Sequence, residues 1–220
     1  IELLMELAPC KIVGVTGSDG KTTTTTLISM FLKEAGLKVW LGGNIGIPLF
    51  SKLDEIEEND IIVLELSSFQ LMTAQKSPDI SVITNISPNH LDYHRSYDEY
   101  ITAKENIFLH QHNGTVIFNA DDEMTSRFLK DIADNKTETN IRYFSLKNGD
   151  KFGSFFDGEF VCYNNGQSVI KIEKKGNIRL VGIHNIANIC AATAAVIDIC
   201  GIEAIRKVVT SFNGVKHRME

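Results

Sequence analysis

Between Val13 and Thr26 the chain reads V-G-V-T-G-S-D-G-K-T-T-T-T-T, an apolar run that enters a glycine turn and leaves through Lys-Thr into a helical pattern. A strand, a turn and a helix N-terminus in that order aim exposed backbone N–H groups at one point and make a cradle for a phosphate. Gly17 and Gly20 let the backbone wrap an anion where a Cβ would clash. Lys21 can set a cation on the outer phosphates, and the Thr22 hydroxyl can ligate Mg²⁺. Gly17, Ser18, Asp19, Gly20, Lys21, Thr22 and Thr23 are therefore the candidate cradle residues. The general pattern G-x-x-x-x-G-K-[ST] asks for glycine where this chain has Val15, a departure that a strict motif search would reject.

The rest of the chain supplies strands for that loop to sit on. Residues 11–15 read as a buried strand, and Thr22 to about Ala35 as a helix with Leu27, Phe31 and Ala35 on its apolar face. A second strand surrounds Trp40, and residues 61–66 (I-I-V-L-E-L) form a continuous apolar run typical of a strand covered on both faces. Further strands are expected at I-S-V-I-T-N-I, T-V-I-F-N and I-R-Y-F-S, with helices from Ser96 and from Asp121 to about Ala133. Strands alternating with helices predict an α/β fold, a phosphate-loop-type, mostly parallel sheet flanked by helices, with chemistry at the strand C-terminal ends. Residues 147–182 change character: glycines punctuate short alternating runs, which predicts a small antiparallel subsheet. A strongly apolar helix follows, stopped by Gly201, then a shorter one.

With 220 residues and a net charge of −6, the chain can bury a large core and is not built to lie along nucleic acid or an anionic membrane. No stretch is expected to span a bilayer, and the four cysteines follow no metal or disulfide spacing. A cytoplasmic monomer is the expectation. The chain opens without Met on a helical-looking E-L-L-M-E-L and stops after H-R-M-E, as a piece of a longer protein would.

Four residues stand out against this frame. Glu65 ends an apolar strand, where a carboxylate is costly unless a cation or donors offset it; beside a phosphate loop such an acid serves the metal, or as a strand-end carboxylate it simply reaches water. His90 lies in a post-strand loop on the same side, and with His94 it makes only a weak zinc pair. Ser96-Tyr-Asp-Glu99 is a capping box, so stepping by three and four puts Tyr97, Ile101, Lys104 and Phe108 on one face. Periodicity leaves two accounts of Lys104: a snorkelling side chain with a wet ammonium, or a lysine of depressed pKa whose neutral amine can be modified. Asn44, in G-G-N-I-G, can donate to an anionic ligand or cap its own loop. Asn185 and Asn188 can read a base edge or cap a helix, and Arg218 lies near the terminus.

Taken together, T-G-S-D-G-K-T, G-G-N-I-G-I-P, L-E-L-S-S-F-Q-L, N-I-S-P-N-H-L-D, Y-I-T-A-K, H-N-I-A-N and H-R-M-E, in that order, resemble the Mur ligase family, and its D-glutamate-adding branch in particular. The resemblance covers essentially the whole chain and accounts for Val15 as the family's own loop variant. It implies an ATP-dependent amide-bond ligase of peptidoglycan precursor synthesis, with UDP-N-acetylmuramoyl-L-alanine and D-glutamate as substrates. Residues 11–214 would be its central ATP-binding domain, with residues 1–10 and 215–220 as linkers to an N-terminal and a C-terminal domain not contained here. By position, Lys21 would bind the ATP phosphates, and Thr22 and Glu65 one Mg²⁺. His90 would hold a second Mg²⁺ with Lys104, carbamylated by CO₂. Asn44 would touch the nucleotide-sugar, while Asn185, Asn188 and Arg218 would place adenine and phosphates. Two competing readings remain: another member of the superfamily, either a Mur ligase adding a different amino acid or a folylpolyglutamate synthase-like ligase, and a non-catalytic nucleotide-binding module.

Overall fold

The computed structural model describes residues 1–87, 95–147 and 149–214; His90, His94 and Arg218 lie outside them. Nine strands form one sheet: β1 (Lys11–Thr16), β2 (Val39–Gly43), β3 (Ile61–Glu65), β4 (Ile80–Ile83), β5 (His112–Asn119), β6 (Glu138–Ser145), β7 (Gly153–Phe156), β8 (Phe160–Asn164) and β9 (Val169–Lys174). Their order is β2-β3-β1-β4-β5-β6-β7-β8-β9. The helices are α1 (Glu2–Leu7), α2 (Lys21–Glu34), α3 (Ser68–Leu71), α4 (Tyr97–Glu105), α5 (Met124–Asn135) and α6 (Ile183–Ser211).

Alternation along the strands decides which helices cover which face. Val13, Val15, Val63 and Ile117 point to the layer made by α2 and α6. Ile12, Ile62, Leu64, Val116 and Phe118 point to the opposite layer, with Tyr100, Ile101 and Phe128. Both faces being covered, every residue of β3 is buried, as its unbroken apolar run predicts. β1 is flanked by β3 on one side and β4 on the other, both parallel to it. The chain runs out to one side of β1, returns, and continues on the other, so the crevice at the end of β1 is the switch point where such sheets take ligands.

The expected small antiparallel part is present: β7–β8 and β8–β9 pair antiparallel, and β7 pairs parallel with β6, so these strands extend the main sheet. Two other expectations need correction. The helix expected from Asp121 starts at Met124, because both aspartates are engaged elsewhere. Asp121 accepts from Ser145 Oγ and Leu146 N, and Asp122 from Ile86 N and Met124 N. Finally, α6 is long and apolar enough by composition to cross a membrane, contrary to the sequence reading, yet most of that stretch is buried. Its apolar side chains pack on α2 and the sheet, and Gly201 (φ 74°, ψ 170°) bends it where a stop is expected.

Phe31 of α2 is fully buried where α2, α6 and the sheet meet. Phe31→Ala should lower unfolding stability by about 3–5 kcal/mol, the usual loss for a core phenylalanine. Urea unfolding monitored by circular dichroism measures it.

Candidate functional site

The turn between β1 and α2 sits in the crevice with its backbone tied on several sides. Ser18 N donates to Asn85 O (2.8 Å), Asp19 N to Asn85 Oδ1 (3.0 Å), and Thr84 Oγ1 to Asp19 O (2.5 Å). Gly20 holds φ 78°, and a Cβ there would lie 2.3 Å from Asn188 Oδ1, so α6 closes directly over the loop. Thr24 Oγ1 donates to the same oxygen at 3.4 Å, and Asn188 Nδ2 donates to Asn185 Oδ1 (3.3 Å). Asn185 and Asn188 are thus brought to the loop from more than 160 residues away. The Asn185 amide donates to Val181 O, and α6 begins after its N-cap Gly182 without a side-chain cap. Lys21 Nζ bends back over the turn and donates to Gly17 O (3.0 Å) and Ser18 O (2.9 Å). Thr22 is buried, whereas Asp19 is exposed and Thr23 half-buried at the rim.

Glu65 is 1% exposed at the end of β3. Its carboxylate accepts from Thr22 Oγ1 at 2.7 Å and from Asn44 Nδ2 at 3.0 Å. Gly43 makes the second contact possible: at φ 92° a side chain would meet Glu65 O at 2.1 Å, so only glycine lets the turn after β2 press this closely on β3. Two hard oxygen donors, hydroxyl and carboxylate, therefore share one buried point beside the cradle, a set that suits Mg²⁺. No cluster of three or more His, Cys, Asp or Glu that could hold a metal ion occurs among the described residues.

Lys104 does not match the snorkelling account: it is 2% exposed. Its Nζ donates to Gly17 O at 2.9 Å and Thr16 Oγ1 at 3.2 Å, and lies 4.7 Å from the centroid of the Tyr100 ring. Burial, then the nearby Lys21 charge, pull its pKa from 10.5 down to about 7. No carboxylate bonds to this amine among the described residues. The expected inward stripe is also adjusted. Tyr100 replaces Tyr97 as the buried tyrosine, and Phe108 packs beyond the helix end. Sequence reading passed over Tyr100, although its spacing of four from Lys104 was the available signal. Its hydroxyl lies 2.9 Å from Ser18 Oγ, which in turn donates to Ser87 O.

The chain matches the family described as Mur ligase middle domain over residues 15–196. A UDP-N-acetylmuramoylalanine–D-glutamate ligase of Acetivibrio thermocellus is 48% identical over the whole chain, which covers 46% of that protein. The same-named protein of Ruminiclostridium cellulolyticum is 47% identical with the same coverage. The chain thus spans about half the length of the curated relatives it matches. Among solved structures, a UDP-N-acetylmuramoyl-L-alanyl-D-glutamate–2,6-diaminopimelate ligase superposes with a TM-score of 0.78 at 22% identity. That overlap covers 99% of this chain and 50% of the other, and at this identity it speaks for the fold.

The Lys104 titration has a stability consequence with a defined sign. Between about 7 and 10.5 the unfolded amine carries a proton that the folded one lacks. The cost of burying the charged amine is therefore full below about 7 and is relieved as pH rises towards 10.5. Wild-type stability minus that of Lys104→Met should climb across this window, measured by urea unfolding at successive pH values. Parallel curves would mean that Lys104 titrates as an ordinary lysine.

Proposed function

The chain belongs to the Mur ligase family, matched through its middle domain, and on that premise we propose that it is the ATP-binding part of a D-glutamate-adding ligase. In this reading residues 11–214 are the central domain, and the flanking residues lead to domains that complete the substrate sites. The enzyme would act in the cytoplasm on UDP-N-acetylmuramoyl-L-alanine and D-glutamate in peptidoglycan precursor synthesis. The observation that carries the reading is Lys104, a lysine of lowered pKa packed on the carbonyl of Gly17 inside the phosphate turn. A plain nucleotide-binding module has no use for it.

The roles are those the family resemblance implies. The turn from Gly17 to Thr23 would wrap the triphosphate with its N–H groups, and Lys21 would turn from the loop carbonyls to the outer phosphates. Asn188, already over Gly20, and Asn185 would meet the nucleotide from α6, and Arg218 would help place the adenine and phosphates. Thr22 and Glu65 would hold one Mg²⁺; His90 and carbamylated Lys104 would hold a second. Bound there, the metal would reduce repulsion between the anionic carboxylate and the triphosphate and stabilise the transferring phosphoryl group. The substrate carboxylate would attack the γ-phosphorus, releasing ADP and leaving an acyl phosphate. The amine of D-glutamate would then add to that carbonyl and expel phosphate. Asn44, now spanning to Glu65, would be shared between that carboxylate and the nucleotide-sugar.

Carbamylation requires the neutral amine, so uptake of CO₂ by Lys104 should rise as pH passes upward through about 7 and vanish below it. In ¹³C-bicarbonate, the protein should show one carbamate resonance in ¹³C NMR that disappears in Lys104→Ala. No resonance at any pH would remove the carbamate from the proposal. Lys21→Ala should weaken ATP binding by calorimetry at least tenfold, about 1.4 kcal/mol. A full-length protein assayed against a panel of amino acids should release phosphate with D-glutamate; preference for another amino acid would overturn the substrate assignment. The 220-residue chain alone should bind ATP without turnover.

A further inference from the structure

The front of α4 meets the phosphate turn through Tyr100 and Lys104, while its back faces α5, where Arg127 bonds both of its ends and Asp131 lies against Glu105. Arg127 of α5 donates from Nη1 to Asp98 Oδ1 (2.8 Å), in the first turn of α4, and from Nε to Glu105 Oε1 (3.1 Å), in the last. Asp98 and Glu105 are seven residues apart and share one stripe of the helix. Tyr100 and Lys104 lie about 130° around the axis from that stripe. Glu105 is 5% exposed on its side chain, so this arm of the fork is desolvated, while Asp98 is 81% exposed. Asp131, one turn further along α5, also approaches the guanidinium at 3.8 Å.

A nine-residue helix is too short to be stable by itself, so its setting comes from what grips it. A planar fork bonded at both ends of the back stripe restrains rotation about the axis as well as displacement along it. Rotation is what would matter most. Lys104 immediately precedes Glu105, and a turn of the helix would swing its amine away from Gly17 O and Thr16 Oγ1. We propose that Arg127 is a positioning residue for this site, clamping α4 through Asp98 and Glu105 so that Lys104 stays seated on the phosphate turn. The importance of that seat rests on the ligase reading above; the clamp itself rests on the contacts.

The test is labelling of Lys104 by a small amine reagent, quantified by peptide mass spectrometry in the 220-residue chain, with the thiol of the core residue Cys190 as the control for global opening. In the wild type Lys104 should be strongly protected. Arg127→Gln should raise Lys104 labelling roughly tenfold with Cys190 unchanged, the signature of local rather than global opening. Arg127→Lys, which keeps the charge but loses the fork, should recover only part of the protection. Asp98→Ala breaks the exposed arm alone and should give a smaller rise, and it decides the matter if Arg127→Gln does not fold. Unchanged Lys104 labelling in a folded Arg127→Gln, or in Asp98→Ala if only that variant folds, would overturn the proposal. So would a rise matched by Cys190, which marks a merely structural role. A wild type without a ¹³C carbamate signal, whose Lys104 protection still depends on Arg127, would sink the carbamate and leave the clamp standing.

Discussion

The amine of Lys104, out of water and 2.9 Å from a backbone carbonyl of the phosphate turn, is the contact on which the site's geometry depends. Desolvating a lysine is unfavourable unless the amine either finds partners or gives up its proton. Here it has Gly17 O, Thr16 Oγ1 and the face of Tyr100, but no carboxylate among the described residues, and Lys21 adds a second positive charge nearby. The result is a group poised near neutrality. The surroundings make that state tolerable: Thr16 is itself fixed by donating to Leu66 O, and Tyr100 is held by Ser18. One amine thus ties the end of β1, the phosphate turn and α4 into a single unit.

The two buried glutamates near this unit show how different surroundings give like side chains different work. Glu65 meets a hydroxyl and an amide, two neutral donors that orient its oxygens beside the cradle. Glu105 is buried against Asp131 as well as Arg127; burial comes first and Asp131 next, and together they outweigh the guanidinium and raise its pKa to about 7. One carboxylate lies beside the phosphate turn and the other against α5.

Much of this was legible in the residues because local chemistry announced it. An apolar strand running into Gly-Ser-Asp-Gly-Lys-Thr specifies its turn, and an acid closing I-I-V-L is conspicuous because burial makes it costly. Lys104 was visible as an anomaly, but not its outcome, since periodicity says which face a residue occupies and not whether water reaches it. Tyr100 was missed because a tyrosine on a helix looks like core, and its hydroxyl partner, Ser18, is 82 residues away. The antiparallel strands were read correctly as hairpins. Their continuity with the main sheet is not written in the residues, because it depends on β7 joining β6 in parallel, a pairing no local signal encodes.

The contact between α6 and Gly20 shows why such long-range closures matter more than their individual strength. Asn188 Oδ1 occupies the space that a Cβ at position 20 would need, so the glycine serves two demands at once, a left-handed turn and the approach of a helix. Were Gly20 there only for its φ, asparagine would satisfy the turn nearly as well. The approach of α6 removes that option. The same apolar packing that seats α6 beside α2 on the sheet brings Asn188 to the loop, so the core also sets one wall of the phosphate cradle. A core substitution that shifts α6 would therefore reach the cradle through Gly20, without touching any residue that faces the ligand.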